Sequence, residues 1–173
     1  MTGISRDCAP NMGGIKRLLL ILFANVMASV DQTTGKITSI EIATGAEKFK
    51  EFALPKGVAS LTSSLNANQE NGTNYVTNVL TLAFNRMNTE KRMAVSAMAV
   101  AECAAIIEDN NGKYWYVGLD EPLVASGGDT GTGAAKTDRN GYGINLQSEE
   151  LSYPYEIEVG TGEGQVDIDS LVD

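Results

Sequence analysis

The sequence predicts a mainly β protein of the α+β class, a β-sandwich or barrel with one long hairpin and one flanking α-helix. Residues 75–84 alternate apolar and polar side chains, as a strand with one buried face does. Asp109-Asn-Asn-Gly112 separates two apolar runs and is a strong hairpin signal. Residues 89–103, rich in alanine, have the composition of a helix. The chain has 173 residues, 43% hydrophobic and 20% charged, which suits one domain with an ordinary core.

The N-terminal end, residues 1–14, is predicted to be an extended arm because it contains a proline and the Gly13-Gly14 turn. The first strand is expected at residues 15–27 and the second at 36–42. Lys16-Arg17 followed by seven apolar residues also fits a short signal peptide, although a buried strand explains the run better. The run is far shorter than the ~20 residues of a membrane helix, so we expect no membrane partner.

A long hairpin is predicted from strands at residues 58–65 and 75–84, joined by the polar stretch 66–74. Its apolar face is interrupted by Asn78, and Glu70 in the connecting stretch is its one charged side chain. The opposite face of the hairpin is rich in hydroxyl groups and nearly uncharged, which suits contact with a water-filled space. The candidate functional side chains on the opposite, hydroxyl-rich face are Ser60, Thr62, Ser64, Thr77 and Thr81.

The second half of the chain is predicted to begin with the helix, capped by Asn88 or Thr89, in which Met93, Ala97 and Val100 share one face. The single β-rich domain is expected to cover residues 15–159. Its remaining segments are predicted as the hairpin around 109–112, a flexible loop at 126–141, a final strand pair near 142–146 and 153–159, and a mobile acidic tail at 160–173.

Charge is distributed unevenly along the chain. The last 25 residues carry eight acids and no base, whereas the preceding 148 carry 14 acids and 13 bases. The net charge of −9 therefore resides mostly at the C-terminal end. A basic patch that grips nucleic acid is disfavoured, because phosphate binding needs clustered lysine and arginine.

We expect no catalytic, cofactor-binding or metal-ligating residues. The chain has no histidine, which excludes histidine-based acid–base chemistry and histidine-ligated metals. Cys8 and Cys103 are expected to be reduced thiols, with a single disulfide as the alternative. Residues 127–137 fail the phosphate-loop pattern because two alanines precede Lys136-Thr137. Trp115 and its flanking tyrosines alternate between two strand faces, which favours packing over a stacking platform.

The order of these elements resembles that of the tailed-bacteriophage tail tube proteins: an apolar first strand, the long polar-faced hairpin, a short helix, a second hairpin containing Lys113-Tyr-Trp-Tyr-Val-Gly-Leu-Asp120, and a closing strand. The resemblance covers residues 15–159 and rests on architecture, without a diagnostic short motif. It implies a β-sandwich or barrel whose copies form rings, hexameric in this family. Stacked rings make a hollow tube through which DNA passes.

The resemblance also implies partners and a location. The partners are other copies of the chain, other tail proteins, and DNA that passes without specific binding. The protein would be made in the host cytoplasm and reside in the virion tail. Two alternatives stay open: another virion ring protein, of the head–tail joining or tail-terminator kind, and a non-catalytic ligand-binding β-domain. Candidate contacts between stacked rings are the arm and the two loops, through Asn68, Glu70, Asn71, Asp129 and Thr130.

Overall fold

The computed structural model describes residue 4 and residues 8–173, and within them the chain is mainly β, as the sequence predicts. The N-terminal arm proposed at residues 1–14 lies partly outside the described residues. The strands and helices are β1 (Ile15–Leu22), β2 (Val26–Asp31), β3 (Lys36–Ile42), β4 (Lys50–Phe52), β5 (Ser60–Asn68), β6 (Thr73–Asn85), α1 (Thr89–Met98), β7 (Cys103–Asp109), β8 (Tyr114–Val117), β9 (Val124–Gly131), β10 (Gly141–Glu150) and β11 (Tyr155–Glu156), with short 3₁₀ turns at Phe23–Asn25 and Asp169–Leu171.

Three antiparallel sheets form three layers. The central sheet has the order β11-β8-β7-β1-β4, the second sheet has the order β5-β6-β10-β9, and β2 pairs with β3. The second sheet packs on one face of the central sheet, and the β2–β3 pair packs on the other. The two faces of strand β1 therefore enter different cores, which is why its sequence is a continuous apolar run and does not alternate.

The first core lies between the central and second sheets. Leu18 and Leu20 of β1 pack with Leu80 and Leu82 of β6, and all four are almost fully buried. Helix α1 closes one side of this core through Met98. Burial of each such side chain stabilises the fold by about 1.5–3 kcal/mol.

The second core lies on the opposite face of the central sheet. Leu19 and Ile21 of β1 contact a cluster that includes Ile37 of β3, Phe49 and Tyr116. Phe49 and Ile37 have no exposed surface, and Tyr116 is 2% exposed. The alternation in β8 is as predicted, since Tyr114 and Tyr116 face this core while Trp115 faces the other way.

The C-terminal segment completes the second core, contrary to the prediction of a mobile tail at 160–173. Val166, Ile168 and Leu171 are buried in it. The Phe49 amide donates a hydrogen bond to the Leu171 carbonyl at 3.0 Å, which holds the segment against the body. The acidic residues Asp167 and Asp169 alternate with the apolar residues Val166 and Ile168, and the apolar side chains of this alternation enter the core.

Acids of the C-terminal segment are tied to bases of the body. Arg17 contacts Asp169 at 3.1 Å and Glu51 at 2.9 Å. Lys50 contacts Asp173 at 2.7 Å. These exposed pairs add little individually, but they neutralise the charge that would otherwise oppose docking.

The predicted C-terminal ends of the first strand and of the helix are both wrong. The first strand ends at Leu22, because a 3₁₀ turn redirects the chain before Val26. The helix ends at Met98, and Cys103 belongs to β7, where it pairs with Leu22. Asn88 caps the helix as predicted, its side-chain oxygen accepting a hydrogen bond from the Lys91 amide at 2.8 Å.

The face of the helix that packs is also different from the one suggested by the sequence. Met93 is 62% exposed, Val100 is 87% exposed and lies beyond the helix end, and Ala97 is exposed. Val95 and Met98 make the contacts with the first core. The helix has only ten residues, so the spacing of its apolar residues was compatible with more than one buried face.

Three further boundaries differ in the β-region. The strands of the long hairpin extend to Asn68 and Thr73, which leaves only residues 69–72 as the turn. Residues 126–131 of the loop predicted at 126–141 belong to strand β9, where Gly127, Gly128 and Gly131 pair with β10 through their backbone. The predicted final strand pair is split, because β10 pairs with β6 and β11 pairs with β8.

If the C-terminal segment is a structural part of the second core, Ile168→Ala should lower the free energy of unfolding by about 2–5 kcal/mol, since it leaves a cavity under a buried side chain. Urea unfolding measures the change. Glu163→Ala, an exposed position in the same segment, is the control and should change stability by less than about 0.5 kcal/mol. Equal effects for the two variants would contradict the docking.

Candidate interaction surface

The second sheet presents one face to the core and leaves the other uncovered over most of its area. We name the latter the open face. Ser60 pairs with Thr81, Thr62 with Val79, and Ser64 with Thr77. Alternation along the strands places these side chains opposite the core. The five hydroxyl residues predicted from the sequence thus share the open face, where Ser60, Thr62, Ser64 and Thr81 are exposed and Thr77 is half-buried.

Strand β10 extends the open face with amides and one acid. Asn145 lies opposite Thr81, Gln147 opposite Val79, and Glu149 opposite Thr77. Asn145 and Gln147 are half-buried, and Glu149 is exposed. The open face therefore combines hydroxyl and amide groups with a few apolar side chains, among them Val79 and the exposed Val124.

The electrostatic character of this sheet is neutral to acidic. Its four strands contain no lysine or arginine. Their acids are Asp129, Glu149 and Glu150, of which Asp129 is paired with Arg139 at 3.3 Å. The four strands therefore present no cluster of positive charge.

Both edges of the second sheet are open for pairing. The edge strands are β5, with nine residues, and β9, with eight. Strand β5 contains neither a charged residue nor a proline, the usual devices that prevent edge-to-edge pairing. The central sheet differs, because its edge strands β4 and β11 have only three and two residues.

The five residues predicted for contacts between rings fall at opposite ends of the sheet. Asn68, Glu70 and Asn71 lie at the hairpin turn, where the Asn68 side-chain oxygen accepts hydrogen bonds from the Glu70 amide at 2.9 Å and the Asn71 amide at 3.3 Å. Asp129 and Thr130 are in strand β9 and not in a loop, a correction to the prediction.

The strand register places Asp129 and Thr130 far from the hairpin turn. Asp129 lies opposite Gly143 and Thr130 opposite Tyr142, near the end of β10 that pairs with the end of β6. Strand β6 has 13 residues. At about 3.3 Å per residue, the two groups of residues are separated by roughly the length of that strand, ~40 Å.

A buried polar cluster lies on the core side of this sheet. The Ser63 hydroxyl donates to the Asn78 side-chain oxygen at 2.6 Å, and Ser148 lies opposite Asn78 on β10. Asn78 has no exposed surface, and its side-chain nitrogen has no hydrogen-bond partner among the described residues. The polar interruption of the apolar strand was visible in the sequence, but its partners were not.

Glu150 is the ionisable member of this cluster, and sequence reasoning counted it only among the C-terminal acids. It is 2% exposed. Its carboxylate accepts hydrogen bonds from the Gly118 amide at 2.5 Å and the Leu119 amide at 3.0 Å. Burial raises the pKa of Glu150, and the two amides offset part of that effect. The carboxylate thus fastens the turn after β8 to the second sheet.

Neither a metal centre nor a thiol site is assembled in the part of the chain that the structure describes. No three histidine, cysteine or acidic side chains there come together as a metal site. Cys8 is an exposed free thiol and Cys103 a buried one, and burial raises the pKa of Cys103. The Trp115 ring nitrogen donates to the Asp109 carboxylate at 3.0 Å.

Comparisons of the chain with protein-family models, with curated proteins and with solved structures give no match. Within the described residues, no helix combines the length and the apolar character needed to cross a membrane.

The raised pKa of Glu150 predicts a pH-dependent contribution to stability. The folded state binds this proton more tightly than the unfolded state, whose glutamate pKa is about 4.3. The stabilisation is complete below that value and is lost as the pH rises through the higher pKa of the folded state. Relative to wild type, Glu150→Gln should therefore gain stability as the pH rises from about 4.

Urea unfolding at a series of pH values measures this difference. Glu149→Gln, which removes the same charge at the exposed neighbouring position, is the control. A wild-type–Glu150→Gln difference that does not change with pH would contradict the assignment of Glu150 as the titrating group.

Proposed function

We propose that this protein is a non-enzymatic structural subunit that joins copies of itself into rings, and that stacked rings form a phage tail tube, a conduit for DNA. The observation that carries the proposal is the second sheet, which has an open, hydroxyl-rich face and two long edge strands, of which β5 has neither a charged residue nor a proline. The resemblance of element order to tail tube proteins supports the same conclusion.

Ring closure follows from the strand directions. Neighbouring strands in the order β5-β6-β10-β9 are all antiparallel. With four strands, β5 and β9 run in opposite directions. When β5 of one copy meets β9 of the next around a ring, the new pair is also antiparallel. The alternation then continues without a break, and closure removes every edge of this sheet.

The open face suits the wall of a channel for DNA. Hydroxyl and amide side chains are wetted readily, and the strands bear no lysine or arginine. Glu149 adds negative charge, which repels phosphate. A wall of this kind lets DNA move, whereas a cationic wall would retain it through counterion release.

Stacking is supported by the two groups of predicted contact residues. The hairpin turn with Glu70 and Asn71 lies at one end of the sheet, and Asp129 with Thr130 lies toward the other. In a ring with its strands along the axis, these groups would project from opposite rims. Each rim could then meet the opposite rim of the next ring.

The first test is assembly. A lysine on an edge strand opposes pairing with another strand, so Thr62→Lys should prevent ring formation while the subunit stays folded. Thr44→Lys, which places the same charge at an exposed position outside every strand, is the control and should assemble as wild type does. Electron microscopy and analytical ultracentrifugation give the readout, and circular dichroism checks folding.

The outcomes separate the candidate functions. Fibres from wild type and Thr44→Lys, but not from Thr62→Lys, support the tube. A single closed ring that never stacks favours the head–tail joining or terminator alternative. Wild type that remains a monomer at high concentration in several salts contradicts assembly and leaves the ligand-binding domain as the better proposal.

The second test concerns the channel wall. Thr77→Lys combined with Thr81→Lys should preserve the subunit fold but make assembled tubes retain DNA, with an affinity that falls as salt rises. The matched control is Thr33→Lys combined with Thr44→Lys, two exposed positions away from the second sheet. Filter binding at several salt concentrations measures retention, and equal retention by the two double variants would place the open face outside the channel.

A further inference from the structure

The sequence contains three Asn-Gly dipeptides, Asn71-Gly72, Asn111-Gly112 and Asn140-Gly141. Asparagine is thermolabile in proteins, and a following glycine leaves its side chain open to the next backbone nitrogen. In the reaction, that nitrogen attacks the side-chain carbonyl carbon and expels ammonia, which forms a five-membered imide. Water then opens the imide to aspartate or isoaspartate, so the amide is replaced by a carboxyl group without oxidation or reduction.

Asn111-Gly112 is held against this reaction at both reacting groups. The Asn111 side-chain oxygen accepts from the Met12 amide at 2.8 Å, and its nitrogen donates to the Asn11 side chain at 3.0 Å. The attacking nitrogen of Gly112 donates to the Asp109 carbonyl at 3.1 Å. Both groups must give up these partners before the bond can form.

Asn140-Gly141 is held by the start of a strand. The Asn140 side-chain oxygen accepts from the Met87 amide at 3.0 Å. Gly141 is paired with Asn85, and a Cβ added to it would lie 2.0 Å from the Phe84 carbonyl oxygen. The Asn140 carbonyl also accepts a hydrogen bond from the Arg86 amide at 2.6 Å, so the backbone of this dipeptide is held in place.

Asn71-Gly72 lacks these restraints. Both residues are exposed in the four-residue hairpin turn, and the Asn71 side chain has no hydrogen bond to any described residue. Gly72 has a φ of +66° and open space where a Cβ would stand. We propose that Asn71 is the modification site of the folded protein, where spontaneous deamidation converts the hairpin tip to aspartate or isoaspartate.

The product alters the chemistry of the tip. A carboxylate appears next to Glu70 in the turn whose amides are held by Asn68. Isoaspartate also lengthens the backbone by one methylene, which changes the geometry of the turn. The inference concerns the isolated folded chain and does not depend on the proposed function, so either can fail alone.

The experiment follows all three dipeptides in one sample. Full-length protein is aged in warm, mildly alkaline buffer, and peptides are mapped by mass spectrometry with chromatography that separates aspartate from isoaspartate. A parallel sample in concentrated urea removes the fold. Asn71→Gln, which keeps an amide at the tip but cannot form the five-membered imide, identifies the site.

In the folded sample, Asn71 should deamidate about tenfold or more faster than Asn111 and Asn140, since each of those must break hydrogen bonds first. In urea the three rates should converge. Asn71→Gln should lose the tip product and leave the other two sites unchanged. A folded-state rate at Asn111 or Asn140 equal to that at Asn71 would overturn the inference, as would an unreacted Asn71 in a sample whose urea control reacts.

Discussion

Burial of strand β1 on both faces is the constraint on which the rest of the structure depends. Leu18 and Leu20 enter one core, while Leu19 and Ile21 enter the other. A strand of this composition must be covered twice, because either face left in water would expose a large apolar surface. The second sheet covers one side. The β2–β3 pair and the C-terminal segment cover the other, which explains why three layers form.

Charge supports this arrangement without creating it. The acidic C-terminal end meets bases of the body: Lys36 contacts Glu158 at 2.6 Å, and Lys50 contacts Asp173 at 2.7 Å. The second sheet, by contrast, has no base on its strands. Several basic residues are thus used where the chain closes on itself, whereas the strands of the second sheet carry none, which is consistent with the proposed channel wall.

Local periodicity made the β-rich class, the long hairpin and the helix cap predictable, because each depends on neighbouring residues. The five hydroxyl residues of the open face were found in the same way. Strand β9 was missed because Gly127 and Gly128 pair through backbone alone and show no side-chain alternation. The docked C-terminal segment and the burial of Glu150 depend on which surfaces distant elements leave uncovered, and a single sequence does not show this.

The closure of the second core has a consequence for synthesis. Phe49 forms a bridge with Val172, and the neighbouring Lys50–Asp173 contact spans 123 residues. A nascent chain therefore carries an uncovered apolar face until residues 166–173 have left the ribosome. Such long-range closure slows folding and exposes the unfinished polypeptide to aggregation. Rapid overexpression in a cell short of chaperones should consequently favour inclusion bodies.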